Sequence, residues 1–365
     1  MASRVQRIKR AVKFLWQRFG GRPPFISYVA AYNGHRNLGD EALYAALRYL
    51  FRPAYFVDYP KGLELKLSLS FLSQVQMALL GGGTIIGPKS STINRVKQCF
   101  ELSPHSVVFG TGVCQPQFWA ERVGMEHLRF CLQQWKKVLE KCDYIGVRGP
   151  MSAEVLNDVG LHNVEVIGDP VLVFAQESPC GDDALSTPTL GLNLCQTKGN
   201  MWGSQNLVCE EVMKLAAIAK RADWRVKWFV LWPPDLTLTR KAAVASGTAG
   251  HIYKIYEHYN EYLDTVKSVS VFVGMRLHSV ALATCAYIPS VMLEYQPKCR
   301  DYMKLISQEN FVVRSDCVKA EQLWEVVCDH KENRRKISEV LFNTIQSIRN
   351  KQLARAAELV ERIET

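Results

Sequence analysis

The sequence predicts an α/β protein of two doubly wound, Rossmann-like domains facing a cleft, and three observations carry that expectation. The 365 residues, 48% of them hydrophobic, exceed one ordinary core and suffice for two. Short apolar runs alternate with amphipathic stretches, the pattern of parallel strands covered by helices. The alternation also runs twice, and between its two rounds the segment QESPCGDDALSTP at 176–188 has no periodicity and collects turn formers.

Residues 1–24 come first, as a basic amphipathic arm. Arg4, Arg7, Lys9, Arg10, Lys13, Arg18 and Arg22 lie in residues 1–22 with no acid among them, so much of the chain's net charge of +10 sits there. Val5, Ile8, Val12, Leu15, Trp16 and Phe19 recur at helical spacing, which suits an anionic membrane surface, with packing on the protein's own body or a frayed, solvated arm as the alternatives. The N-terminal domain, 25–178, is expected to hold strands at Phe25–Ala31, Tyr55–Asp58, Met77–Leu80, Ser106–Phe109, Tyr144–Val147 and Val164–Ile167. A helix is expected at Glu41–Phe51. Another opens at Pro150, whose missing N–H does no harm in a first turn, and closes at Gly160. A linker follows at 179–188. The C-terminal domain, 189–330, offers strands at Leu190–Leu194, Val226–Leu231, Val269–Val273 and Ser290–Leu293, with helices at Gln205–Arg221, Tyr259–Lys267 and Ser279–Ala286. From Lys331 a helical stretch, 331–365, has Ile337, Val340, Leu341, Ile345 and Ile348 on one face.

Composition narrows the function classes. The eleven cysteines are scattered with no CxxC pair, so they read as reduced, small buried hydrophobes of a cytoplasmic protein. No apolar run approaches the roughly 18 residues of a membrane-spanning helix, and no secretory signal is evident. A location at the inner face of the cytoplasmic membrane is therefore expected, held by the arm rather than by a span. Neither a basic groove nor an aromatic stacking platform points to nucleic acid. Histidines and cysteines show no ligand spacing, so no metal is expected.

Residues Val273–Lys298, VGMRLHSVALATCAYIPSVMLEYQPK, carry the strongest chemical signal. Arg276 and His278 fall on a strand-to-helix loop, where open parallel sheets hold ligands and a helix N-terminus adds positive potential. On an extended loop two residues separated by one point to the same side, so both can share one anionic ligand. Arg148 likewise follows an apolar strand and precedes a helix start. Arginine's planar fork grips carboxylate and phosphate oxygens bidentately. Lys298 can reach either group as a point charge, and Glu294 is its partner or an acceptor contact. Near the other end, Asn37, Gly39 and Asp40 occupy the first strand-to-helix loop, and Asp40 serves as helix cap or as base for a hydroxyl. The run Gly81-Gly82-Gly83 lets backbone N–H groups approach a sugar or phosphate, with Thr84 adding a polar contact; it matches neither GxGxxG nor a P-loop.

NLGDEAL at 37–43, LLGGGTIIG at 79–87, GVRGPMS at 146–152, IGDPVL at 167–172 and MRLHSVALATCAYIPSVMLEYQPK at 275–298 together resemble the polysaccharide pyruvyl transferase family, in its order and over most of the chain. The resemblance implies a GT-B-like scaffold whose C-terminal helix crosses back onto the first domain. It implies transfer of the enolpyruvyl group of phosphoenolpyruvate, a co-substrate rather than a cofactor, onto two hydroxyls of a sugar as a cyclic ketal in surface polysaccharide biosynthesis. The saccharide acceptor is expected to be lipid-linked and bound through Asn37, Gly82, Gly83, Thr84 and Glu294. Arg148 and Arg276 match arginines that contact the donor, Lys298 matches a lysine, and His278 matches the catalytic acid, with Asp40 the second catalytic candidate. One departure stands out: Arg148 is followed by Gly149 where the family often has aspartate. The rival readings are a nucleotide-sugar glycosyltransferase of the same fold and a non-catalytic carbohydrate-binding subunit.

Overall fold

The computed structural model describes residues 24–29, 34–58, 75–179, 187–197 and 199–364. The expected arm, apart from Pro24, and most of the expected linker lie outside the described residues.

Two six-stranded parallel sheets form the framework. The first comprises β1 (Phe25–Val29), β2 (Tyr55–Asp58), β3 (Met77–Gly81), β4 (His105–Thr111), β5 (Tyr144–Val147) and β6 (Glu165–Val166), in the order β2-β1-β3-β4-β5-β6. The second comprises β7 (Thr189–Asn193), β8 (Arg225–Val230), β9 (Ile252–Lys254), β10 (Val271–Gly274), β11 (Ser290–Glu294) and β12 (Val312–Arg314), in the order β12-β11-β10-β7-β8-β9. Helices cover both faces of each, so the inner strands are uninterrupted apolar runs; MALLG of β3 is buried at all five positions.

In the first half lie α1 (Leu38–Leu50), α2 (Ser90–Glu101), α3 (Pro116–Val123), α4 (Met125–Leu139) and α5 (Pro150–Asp158). One sheet face packs Ile26, Leu47, Phe51 and Phe109 together, and the opposite face packs Val96, Leu128, Trp135 and Leu139. The second half holds α6 (Gln205–Arg221), α7 (Leu236–Ala245), α8 (Tyr259–Val266), α9 (Leu277–Cys285), α10 (Lys298–Leu305) and α11 (Ala320–Glu332) around Leu192, Trp228, Phe272 and Leu293.

The last helix, α12 (Arg334–Glu364), has 31 residues and is therefore about 46 Å long at 1.5 Å per residue. Ile337, Leu341 and Ile345 sit in the core of the second half, whereas Ala356, Leu359, Val360 and Ile363 sit in the core of the first. The helix thus crosses back, as the resemblance implies. Val340, expected on its apolar face, is 40% exposed, because the buried stripe there is narrower than five residues.

Three further differences have simple causes. The edge strands β9 and β12 went unseen, being three residues long, half-exposed and free of alternation. Strand β10 begins at Val271 rather than Val269, since Ser270 turns its hydroxyl to accept the Thr189 N–H. Helix α1 begins at Leu38, three residues before expectation, because Asn37 caps it.

Candidate active site

In open α/β sheets a ligand binds beyond the carboxyl ends of the strands, where the strand order reverses. The first sheet reverses between β1 and β3, and the second between β7 and β10. The loops after β1 and β3 face the loop after β10 across a cleft of about 370 Å³, a volume suited to a small ligand.

On the first wall, the Asn37 side-chain oxygen Oδ1 accepts the Gly39 N–H at 3.3 Å, and its Nδ2 donates to Asp40 Oδ2 at 2.8 Å. Capping therefore belongs to Asn37, and Asp40 is left to line the cleft. Burial raises the Asp40 carboxyl above the usual carboxylate range, with His278, Lys298 and Arg276 pulling in the opposite direction. The Leu38 N–H crosses to the Leu231 carbonyl at 2.9 Å, tying the two walls together.

Gly82 and Gly83 both adopt left-handed backbone, with φ of 67° and 63°. This turn presents the Gly83 carbonyl and the Thr84 hydroxyl to Arg148, whose Nη1 and Nη2 donate to them at 3.1 Å each. Gly83 and Thr84 line the cleft. Gly82 instead faces a small recess beneath it, where a Cβ would stand 2.8 Å from the Leu43 side chain, so it serves close packing rather than the cleft itself.

Arg148 reaches the cleft while only 1% exposed, and its Nε is bonded to nothing among the described residues. Its nearest acid is Asp301, 4.0 Å away and from the other half of the molecule. Asp301 caps α5 across the domain boundary, accepting Met151 N–H at 2.9 Å, Ser152 N–H at 3.3 Å and the Ser152 hydroxyl at 2.6 Å. The backbone of Gly149 is extended, so conformation does not demand glycine there. Space does, because a Cβ at 149 would stand 2.2 Å from Asp301 Oδ1.

On the second wall, the Arg276 N–H donates to Asn193 Oδ1 at 2.9 Å. Its guanidinium grips the fully buried Asp235 bidentately, through Nε to one oxygen and through Nη2 to the other at 2.8 Å, and lies 5.0 Å from the Trp232 ring. His278 stands in the first turn of α9, with Nε2 3.6 Å from Asp169 Oδ2. Gly39 presses on its opposite edge, where a Cβ would be 2.3 Å from Nδ1. Lys298 opens α10 with its ammonium 4.8 Å from the Tyr295 ring, and burial lowers it below the ordinary lysine value.

Asn37, Asp40, Gly83, Thr84, Arg148, Arg276, His278 and Lys298 thus share one cleft. Glu294 is not in it. Side chains alternate along β11, and the alternation that turns Tyr295 into the cleft turns Glu294 away, into ion pairing with Arg300 at 2.6 Å. The expectation that Glu294 partners Lys298 or contacts an acceptor is corrected accordingly.

Sequence reading missed three carboxylates, Asp169, Asp235 and Asp301, each buried against a cation or imidazole of the cleft. IGDPVL did contain Asp169, and the prolines before Asp235 marked a turn. It also missed Lys89, Thr92 and Trp119, which line the outer cleft. Among the described residues no cluster of three or more His, Cys, Asp or Glu is arranged to hold a metal, and no helix is long and apolar enough to cross a membrane.

A family model described as polysaccharide pyruvyl transferase matches residues 37–297. No curated protein gives a significant sequence match. Among solved structures, a UDP-glucosyltransferase from Polygonum tinctorium is similar with a TM-score of 0.58 at 10% identity, covering 94% of this chain and 99% of its own. A UDP-GlcNAc 2-epimerase from Neisseria meningitidis gives a TM-score of 0.56 at 9% identity, covering 93% and 100%. At such identities the likeness concerns the fold, the GT-B-like pairing of two α/β domains.

Proposed function

The chain belongs to the polysaccharide pyruvyl transferase family, and from that premise we propose that it transfers the enolpyruvyl group of phosphoenolpyruvate to two hydroxyls of one sugar, closing a cyclic ketal. One observation carries this reading. Arg148, Arg276, His278 and Lys298, from both domains, converge on a single cleft; among the described residues no carboxylate hydrogen-bonds Arg148 or Lys298, and the acid nearest Arg148, Asp301, stands 4.0 Å away. An anion bearing both phosphate and carboxylate suits such a set.

The proton balance suits it as well. His278 protonates the methylene carbon, leaving an oxocarbenium-like C2 that one sugar hydroxyl attacks. Phosphate then departs, and a second hydroxyl of the same sugar closes the ring. Two hydroxyl protons are released, and two are consumed, one at the methyl carbon and one on phosphate. Asp40, raised by burial, is the group to receive hydroxyl protons, and Lys298, lowered by burial, is the group to give the departing phosphate its proton. Net charge is conserved over the cycle.

The outer cleft, with Thr84, Lys89, Thr92 and the ring of Trp119, suits a saccharide, which stacks an apolar face on an aromatic and spends its hydroxyls on polar side chains. A lipid carrier for that saccharide agrees with the basic sequence of residues 1–22 and a site on the cytoplasmic membrane face. Ligand-induced stabilisation tests the reading: a ligand at 100 times its Kd adds about 2.7 kcal/mol. Phosphoenolpyruvate should raise the melting temperature and UDP-sugars should not. The reverse result would replace this reading with a nucleotide-sugar glycosyltransferase, and no shift with either would favour a non-catalytic subunit.

A further inference from the structure

His278 and Asp169 approach each other from different domains. Asp169 lies at the end of the N-terminal domain, wholly buried, and its Oδ1 accepts the Val171 N–H at 3.2 Å to cap the short 3-10 turn Pro170–Phe174. That turn packs against α1, α9 and α12, so it is held from three sides. The remaining oxygen, Oδ2, points at His278 Nε2 across 3.6 Å. Among the described residues neither atom has another hydrogen-bond partner. A buried carboxylate oxygen and a buried ring nitrogen, each otherwise unsatisfied, are stable side by side only with a proton between them. On the other edge of the ring, Nδ1 faces Gly39, which lacks the side chain that would displace it, and the ring lines the cleft.

We propose that Asp169 is the positioning residue of His278: it holds the Nε2 proton permanently, so that Nδ1 is the atom that delivers protons into the cleft. This deepens the pyruvyl transfer reading and rests on it for the identity of the proton acceptor. In the charged ring both nitrogens carry hydrogen. Nδ1 gives its proton to the methylene carbon, the C–H bond forms as the enol ether's double bond supplies the electron pair, and the ring is left neutral with hydrogen on Nε2. Asp169 stays ionised throughout and accepts that hydrogen bond. Because the two residues belong to different domains, the acid is oriented only when the domains are together.

Asp169→Asn isolates this role. Its Oδ1 can still accept from Val171, which directs the amide NH2 at Nε2 and forces the neutral ring into the opposite tautomer. Turnover should fall by about 10²-fold or more, as for loss of a positioned general acid. Phosphoenolpyruvate affinity should stay within about threefold, and adding Asp169→Asn to His278→Gln should cost nothing further, as coupled residues behave. Ring-nitrogen chemical shifts of isotope-labelled histidine, assigned with His278→Gln, give a second readout that needs no substrate. In the unmodified protein the neutral His278 should carry hydrogen on Nε2, and in Asp169→Asn on Nδ1. The opposite tautomer in the unmodified protein, or full turnover in Asp169→Asn, would overturn the proposal. If the protein turns over no sugar with phosphoenolpyruvate, the transfer reading fails while the tautomer still decides the role of Asp169.

Discussion

The two halves of the molecule each present an arginine at the same place in the same motif, after a buried strand and before a helix, yet anchor it by opposite means. Arg276 is clamped by Asp235, so its charge is largely answered within its own domain. Arg148 is hydrogen-bonded by a carbonyl and a hydroxyl, neutral groups that fix its direction, while its nearest acid, Asp301, stays at 4.0 Å and spends its oxygens on three donors of α5, so the arginine's charge is answered only in part. The lesson concerns division of labour: one cation is built into the wall, the other is kept for the ligand.

The largest expected effect tests the first half of that comparison. Arg276→Ala strands the buried Asp235 carboxylate, and breaking a buried pair from one side typically costs about 3 to 5 kcal/mol of stability. Denaturant unfolding should show it, and Asp235→Asn added to Arg276→Ala should restore part. A loss of less than about 1 kcal/mol, the level of an exposed pair, would mean the clamp is not as closed as drawn.

Next comes Arg148→Ala. It should weaken phosphoenolpyruvate binding by about 1.5 to 3 kcal/mol, the value of a charge-assisted contact, and cost the fold less than Arg276→Ala does, because Asp301 keeps three other donors. Calorimetric titration of both variants decides. Equal affinities in the two would dissolve the distinction between wall and ligand cation.

The smallest effect belongs to Lys298. Its ammonium is lowered by burial, so it loses its proton at a lower pH than an ordinary lysine at about 10.4. Donor affinity should therefore decline on the alkaline side before that value, as pH rises through the lowered pKa and the positive charge disappears. Lys298→Arg should remove the decline. An affinity flat to pH 10 in the unmodified protein, below the ordinary value of about 10.4, would show that the ammonium does not meet the donor.

Much of this was legible because hydrophobic period and strand-end position are local signals. MALLG reads as a buried strand wherever it stands, and an arginine after such a strand falls on the ligand side of the sheet. The cations and His278 were found in that way. Their carboxylate partners were not, since Asp235 is 41 residues from Arg276 and Asp301 is 150 from Met151. Which aspartate is buried beside which cation is decided by how two domains close, and no local period records it. Glu294 failed for the converse reason: proximity in sequence to Lys298 suggested a pair, and the alternation of β11 separated them.

Gly149 and Asp301 can be read as a single inherited unit. The resemblance expects an aspartate after the arginine of α5's approach, and here the volume that its side chain would enter is occupied by the carboxylate of Asp301, from the other domain. Neither position is then free to drift alone: an acid at 149 would collide with the one at 301, and loss of the acid at 301 would leave the helix start uncapped. Across homologues the two sites should covary, glycine with aspartate in one lineage and the exchanged arrangement in another, and a graft between lineages should succeed only when both residues travel together.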